Sequence, residues 1–138
     1  MVLELLLGAA LYAAFRKTNS EIDFANANIF TDYLIVDKGS EIPALKRLIT
    51  RNINRIIPGC KSFKIGKTGC PDNRFVNYKD YDKMILLCQS SDCSVIEVLE
   101  AYYNQKYFQH PKNDNKRLGS AGIMTNSENL YFLYMVIC

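Results

Sequence analysis

Residues 83–89, KMILLCQ, are an apolar run of strand length with no polar alternation, and residues 90–109, SSDCSVIEVLEAYYNQKYFQ, follow it with helical periodicity. A strand that is apolar on both sides has to be covered on both faces, which places it at the centre of a sheet. The helix after it, capped by Ser91 or Asp92, covers one of them. A second helix is expected over 41–57: in SEIPALKRLITRNINRIIPG, Ser40 is the N-cap candidate, Pro43 lies near the first turn and Pro58-Gly59 stops it. TDYLIV reads as a short strand closed by the turn DKGS, SFKIG as a strand, PDNRFVNYKDY as a helix or helical turn, and NLYFLYMVIC as a closing strand. TNSEIDFANANIF reads as a polar connector and HPKNDNKRLGSAG as a loop. This alternation predicts an α/β or α+β fold, a small mixed sheet of three to four strands flanked by helices. The 138 residues suffice for one domain with its own core.

MVLELLLGAALYAAFRK opens the chain with an apolar run of about 15 residues that contains Glu4. The run is shorter than the ~20 residues that cross a bilayer, and no basic stretch precedes it as in a secretory signal. A helix over 1–18 is expected, buried in the domain or pairing copies of the chain, with membrane attachment as the competing reading. The remaining core spans 30–138.

An apolar fraction of 49% and a charged fraction of 22% exclude a disordered or collagen-like chain. The net charge of +3 is unevenly spread: from Lys46 to Lys79 nine lysines and arginines face one acid, Asp72, a local net of +8. That is the footprint of a polyanion-binding face, or a solvated surface. Five cysteines without a C-x-x-C pair, and one histidine, form neither a disulfide framework nor a zinc signature. Reduced thiols and a cytoplasmic or nuclear setting are the simpler expectation.

Within 41–57, Leu45, Leu48, Ile49, Ile53, Ile56 and Ile57 recur at core-facing spacing, while Arg47, Arg51 and Arg55 follow every four residues along another side. A row of arginines without acids at i+4 suits phosphates or water. Gly66-Lys67-Thr68 can offer a lysine and backbone N–H groups to an anion, but the glycine a P-loop needs five positions before Gly66 is absent, which removes the main support for nucleotide hydrolysis. In the helix after KMILLCQ, Glu97 points almost opposite the apolar face formed by Val95, Val98, Leu99 and Tyr102. Glu100 sits at its border near Ile96, Tyr103 and Tyr107. Glu100 is therefore the carboxylate suited to a cation or to an arginine partner.

Gly66-Lys67, Arg74 eight positions after Gly66, Tyr78 four further on, an apolar strand, then Glu100 in VIEVLEAYYNQKY and Asn113 thirteen after it, resemble in order and spacing the GIY-YIG nucleases. The likeness runs from Phe63 to about Lys116 and is nearest to the nuclease subunit of bacterial excision repair and to virus- and phage-borne members reading K-I-G-K-T. The resemblance implies a three-stranded sheet flanked by helices, and hydrolysis of DNA phosphodiesters with one divalent metal, Mg²⁺ or Mn²⁺. It implies that Glu100 holds the metal, Arg74 binds the scissile phosphate, Lys67 is a second positive group, Tyr78 stands at the place of a catalytic Tyr or His, and Asn113 (or Asn115) ties down the edge. Lys64 and the Arg47, Arg51, Arg55 ridge complete the DNA-binding expectation. The pattern departs from the family in three ways. Lys64-Ile65-Gly66 replaces Y-I-G, and G-I-Y is absent upstream, leaving Tyr33 as its stand-in, separated by a helix where the family has a tight hairpin. The alternatives are a binding module that does not cleave and a protein that acts through its amino-terminal helix.

Overall fold

The computed structural model describes residues 24–115, 124 and 128–138; the helix expected over 1–18 lies outside them. The described elements are strands β1 (Ile29–Phe30) and β2 (Ile35–Val36), helix α1 (Ile42–Ile56) with a 3₁₀ turn at Ile57–Gly59, strand β3 (Phe63–Thr68), helix α2 (Pro71–Phe75), strand β4 (Lys83–Ser90), helix α3 (Cys93–Lys106) and strand β5 (Tyr131–Ile137). The fold is mixed α+β. One mixed sheet runs β1-β4-β5-β3, with β2 also on β4. β5 is antiparallel to both β3 and β4, whereas β1 and β2 run parallel to β4.

The sheet has five strands rather than three or four. The addition comes from β1 and β2, two residues each, placed end to end along the outer edge of β4 and pairing with Met84–Ile85 and Cys88–Gln89. β1 falls at the end of the stretch read as a connector. Two residues are too few for an alternation to register, and only the exposed ladder of β4 makes them a strand.

KMILLCQ is interior and covered on both faces, as its composition demands. One face packs Ile65, Leu87, Leu133 and Met135 against Leu45, Ile49 and Ile53 of α1 and Ile96, Leu99 and Tyr103 of α3. The other packs Met84, Leu86, Phe132, Tyr134 and Val136 against Leu34 and Phe75. A register shift between Leu86 and Cys88 inserts one residue into β4, so that Leu87 and Cys88 both belong to the α1/α3 face.

Asp92 caps α3, its carboxylate accepting from Ser94 N at 3.0 Å. Ser40 does not cap α1: Glu41 is the N-cap residue, without a side-chain bond. The Asp37 carboxylate instead accepts from Gly39 N and Ser40 N, both at 3.0 Å, and from Ser90 Oγ at 2.8 Å. The helix entry is thereby pinned to the end of β4 by an aspartate upstream of the expected cap. Among the described residues no helix is long and apolar enough to cross a membrane.

Candidate active site

The site is built on β3, the strand at one edge of the sheet. Successive residues of a strand point to opposite faces, so Lys64 and Gly66 face one way and Lys67 the other. The register places Lys64 against Val136, Gly66 against Tyr134 and Lys67 against Leu133. Paired residues share a face, so Tyr134 stands directly over Gly66. A Cβ on Gly66 would lie 2.5 Å from Tyr134 Cζ. The glycine is required because the phenol ring occupies the volume of a side chain.

α2 brings the remaining parts to the Tyr134 face. Thr68 Oγ1 accepts from Cys70 N at 3.0 Å as the strand ends, and Pro71 then starts the helix with its φ already set. Phe75 is buried beneath, and Asp72 accepts from Ala25 N at 3.1 Å and Asn26 N at 3.0 Å, fastening α2 to the chain before β1. Arg74 is exposed, yet its Nε donates to Tyr134 Oη at 3.2 Å. The turn that follows, with Tyr78 N donating to Phe75 O at 2.9 Å, folds Tyr78 back over the same face. Tyr78 Oη and Tyr134 Oη share a hydrogen bond at 2.5 Å, and the Arg74 guanidinium carbon is 5.8 Å from the Tyr78 ring centroid. Lys64 Nζ lies 5.8 Å over the ring of Tyr81, which meets Tyr78 edge to face. Tyr81 Oη donates to Asp114 at 2.6 Å.

The hydrogen bond from Arg74 to Tyr134 pushes the guanidinium further above its ordinary range. Burial, and then the neighbouring Tyr78, push the Tyr134 hydroxyl well above the usual tyrosine value. Tyr134 is therefore neutral at physiological pH and acts as a hydrogen-bonding hydroxyl, not as a base. Its oxygen accepts from Arg74, and among the described residues its other hydrogen-bond partner is Tyr78 Oη.

On the opposite face, Lys67 Nζ lies 3.5 Å from Glu100 Oε1. Glu100 is more deeply buried than its border position on the helix suggests, at 2% exposure, while Glu97 is exposed as expected. The described structure thus gathers the expected residues into two groups, Arg74, Tyr78 and Lys64 on one face and Lys67 and Glu100 on the other. Gly66 and Lys67 lie within two residues of the strand's end at Thr68, about 7 Å at ~3.3 Å per residue.

Tyr33 does not join either group. Its side chain packs on the α1/α3 face and its carbonyl accepts from Asn52 Nδ2 at 3.0 Å. Asn113 is buried, its Nδ2 donating to Tyr107 O at 2.8 Å and its Oδ1 accepting from Asn115 N at 2.9 Å. It shapes the loop beside β3. Asn113 bridges Phe63 of β3 through its backbone, and Asn115 reaches the strand with its side chain, donating from Nδ2 to Ile65 O at 2.7 Å and to Asn104 Oδ1 at 2.8 Å. Arg47, Arg51 and Arg55 are all exposed along α1.

Tyr134 is the residue that sequence reasoning missed. Its strand was read correctly, but nothing local ties a tyrosine near the end of the chain to Gly66; only the pairing of β5 with β3 does so. A single carboxylate with waters and substrate phosphates is an ordinary ligand set for Mg²⁺, and the buried Glu100 offers that much, although no group of three or more metal-ligating side chains occurs among the described residues. No family model, no curated protein and no solved structure matches the chain.

Proposed function

We propose that the chain is a metal-dependent DNA endonuclease of GIY-YIG type whose first-motif tyrosine is Tyr134 instead of Tyr33. One observation carries the reading: the strand paired antiparallel with the K-I-G-K-T strand, as in the family's hairpin, is β5, and it sets Tyr134 over Gly66 in hydrogen bonds with Arg74 and Tyr78. In Phe132-Leu133-Tyr134 a tyrosine again follows two apolar residues, displaced to the far end of the domain.

In this mechanism Arg74, oriented by Tyr134, binds the scissile phosphate through the guanidinium nitrogens not used on the phenol, and offsets the charge that builds in the transition state. Tyr78 directs its hydroxyl to a phosphate oxygen or to the attacking water. Lys67 pairs with Glu100 and adds a second positive charge. Glu100 holds the divalent metal, which supplies Lewis-acid stabilisation when bound. The test is incubation of supercoiled plasmid with purified protein and Mg²⁺ or Mn²⁺. Nicking is expected, lost in Glu100→Ala and reduced by about 10²- to 10³-fold in Arg74→Ala. No cleavage with either metal, or full cleavage by Glu100→Ala, rejects it.

A second reading, a module that binds DNA without cutting it, draws on Lys64 standing where the family has its second tyrosine and on the exposed arginines of α1. It expects salt-sensitive binding that survives Glu100→Ala.

A further inference from the structure

Asn104 is 2% exposed, and its Nδ2 is a buried donor without a partner among the described residues. Which end of this amide is unpaired is fixed by its neighbours. Ile65 O can only accept, so Asn115 must present Nδ2 to it; the same Nδ2 donates to Asn104 Oδ1. Turning Asn115 would set two acceptors 2.7 Å apart, and turning Asn104 would set two donors 2.8 Å apart. Both amides are locked, and the unpaired group of Asn104 is its NH₂. A buried donor left without an acceptor is costly enough that an ordered water or a ligand ordinarily satisfies it.

Glu100 lies four residues earlier on α3, on the same side of the helix and equally buried. We propose that Asn104 is a positioning residue for Glu100, donating from Nδ2 through a buried water to the carboxylate. It rests on the reading of Glu100 as metal ligand and adds to it the group that orients the ligand. The chain Ile65 O–Asn115–Asn104–water–Glu100 links the carboxylate to the backbone of β3, the strand that carries Gly66 and Lys67. Groups hydrogen-bonded to a ligating carboxylate typically change metal affinity by about 10- to 100-fold when removed.

Two measurements test this without relying on cleavage. In ¹H–¹⁵N spectra the Asn104 side-chain NH₂ pair is expected to shift in the isosteric Glu100→Gln variant and to be broadened by Mn²⁺ alone. Calorimetry with Mn²⁺ and no DNA is expected to give about tenfold weaker binding for Asn104→Ala than for the wild type. An Asn104 signal unmoved by Glu100→Gln, or unchanged Mn²⁺ affinity in a folded Asn104→Ala where Glu100→Gln weakens it, overturns the positioning role. If the signal moves but Glu100→Gln binds Mn²⁺ as the wild type does, the Asn104–Glu100 link stands and the metal reading of Glu100 is what fails.

Discussion

Gly66 has no side chain because Tyr134 fills the space one would take. Gly66→Ala should force the phenol off its hydrogen bonds and cost about 1–3 kcal/mol by overpacking, measured as a lower urea midpoint, with cleavage lost together with stability. Tyr134→Phe separates the two effects. The ring still packs, but Arg74 Nε and Tyr78 Oη lose their shared partner, so stability should fall by only about 1 kcal/mol while kcat falls and KM changes little. Tyr134 also predicts a pH limit. Its hydroxyl is raised above the ordinary 10.0 by burial, so in alkali the unfolded chain loses this proton while the folded one keeps it. Its stabilising contribution is intact below about pH 10 and declines as pH rises towards the folded value, by at most about 1.4 kcal/mol per pH unit. Urea titrations at pH 9, 10 and 11 should show the decline, and Tyr134→Phe should make it shallower, the remainder coming from Tyr81, Tyr103 and Tyr107, which burial also raises. At this scale the sequence was legible where neighbours along the chain decide the geometry: Arg74 and Tyr78 are one turn apart, and Glu100 lies on a helix whose period is plain. Tyr134 and Asn104 were not legible, and Asn115 only as the alternative to Asn113, because their partners are set by strand pairing and a loop return.

α1 presents its arginines away from the core that Leu45, Ile49 and Ile53 define. Each phosphate contact contributes about 0.9 to the slope of log K against log salt. Replacing Arg47, Arg51 and Arg55 with glutamine should therefore lower that slope by up to about 2.7, read by fluorescence anisotropy on duplex DNA, without changing Mn²⁺ affinity. Elements with their own periodicity or caps, α1, α3, β4 and β5, were legible to within a few residues. β3 runs to Thr68, two residues beyond the stretch read as strand. α2 stops at Phe75, where PDNRFVNYKDY was read as one helix or turn; the turn over Phe75–Tyr78 that ends it is what returns Tyr78 to Arg74. Ser40 lies in the turn before α1, where its own N–H and that of Gly39 donate to Asp37 three residues upstream, and the helix starts after Glu41.

At the level of the whole domain, alternation of helix and strand gave the class, and burial on both sides gave β4 its place. The order of strands was out of reach, since no pattern in residues 131–137 says which neighbours they will have. β5 enters between β3 and β4, which do not touch without it. Removing residues 131–138 should therefore abolish cooperative unfolding altogether, with a collapsed near-ultraviolet circular dichroism spectrum, in place of shaving a peripheral strand. The same arrangement fixes when the group around Arg74 can assemble. β3, α2, β4 and α3 all leave the ribosome before β5, and contacts between segments so distant in the chain form slowly. Until β5 has been synthesised and inserted, Arg74 has no phenol to orient it and the edge strand has no sheet. On the nuclease reading proposed above, a growing chain would carry the charged groups of the site unassembled, and cutting would wait for β5.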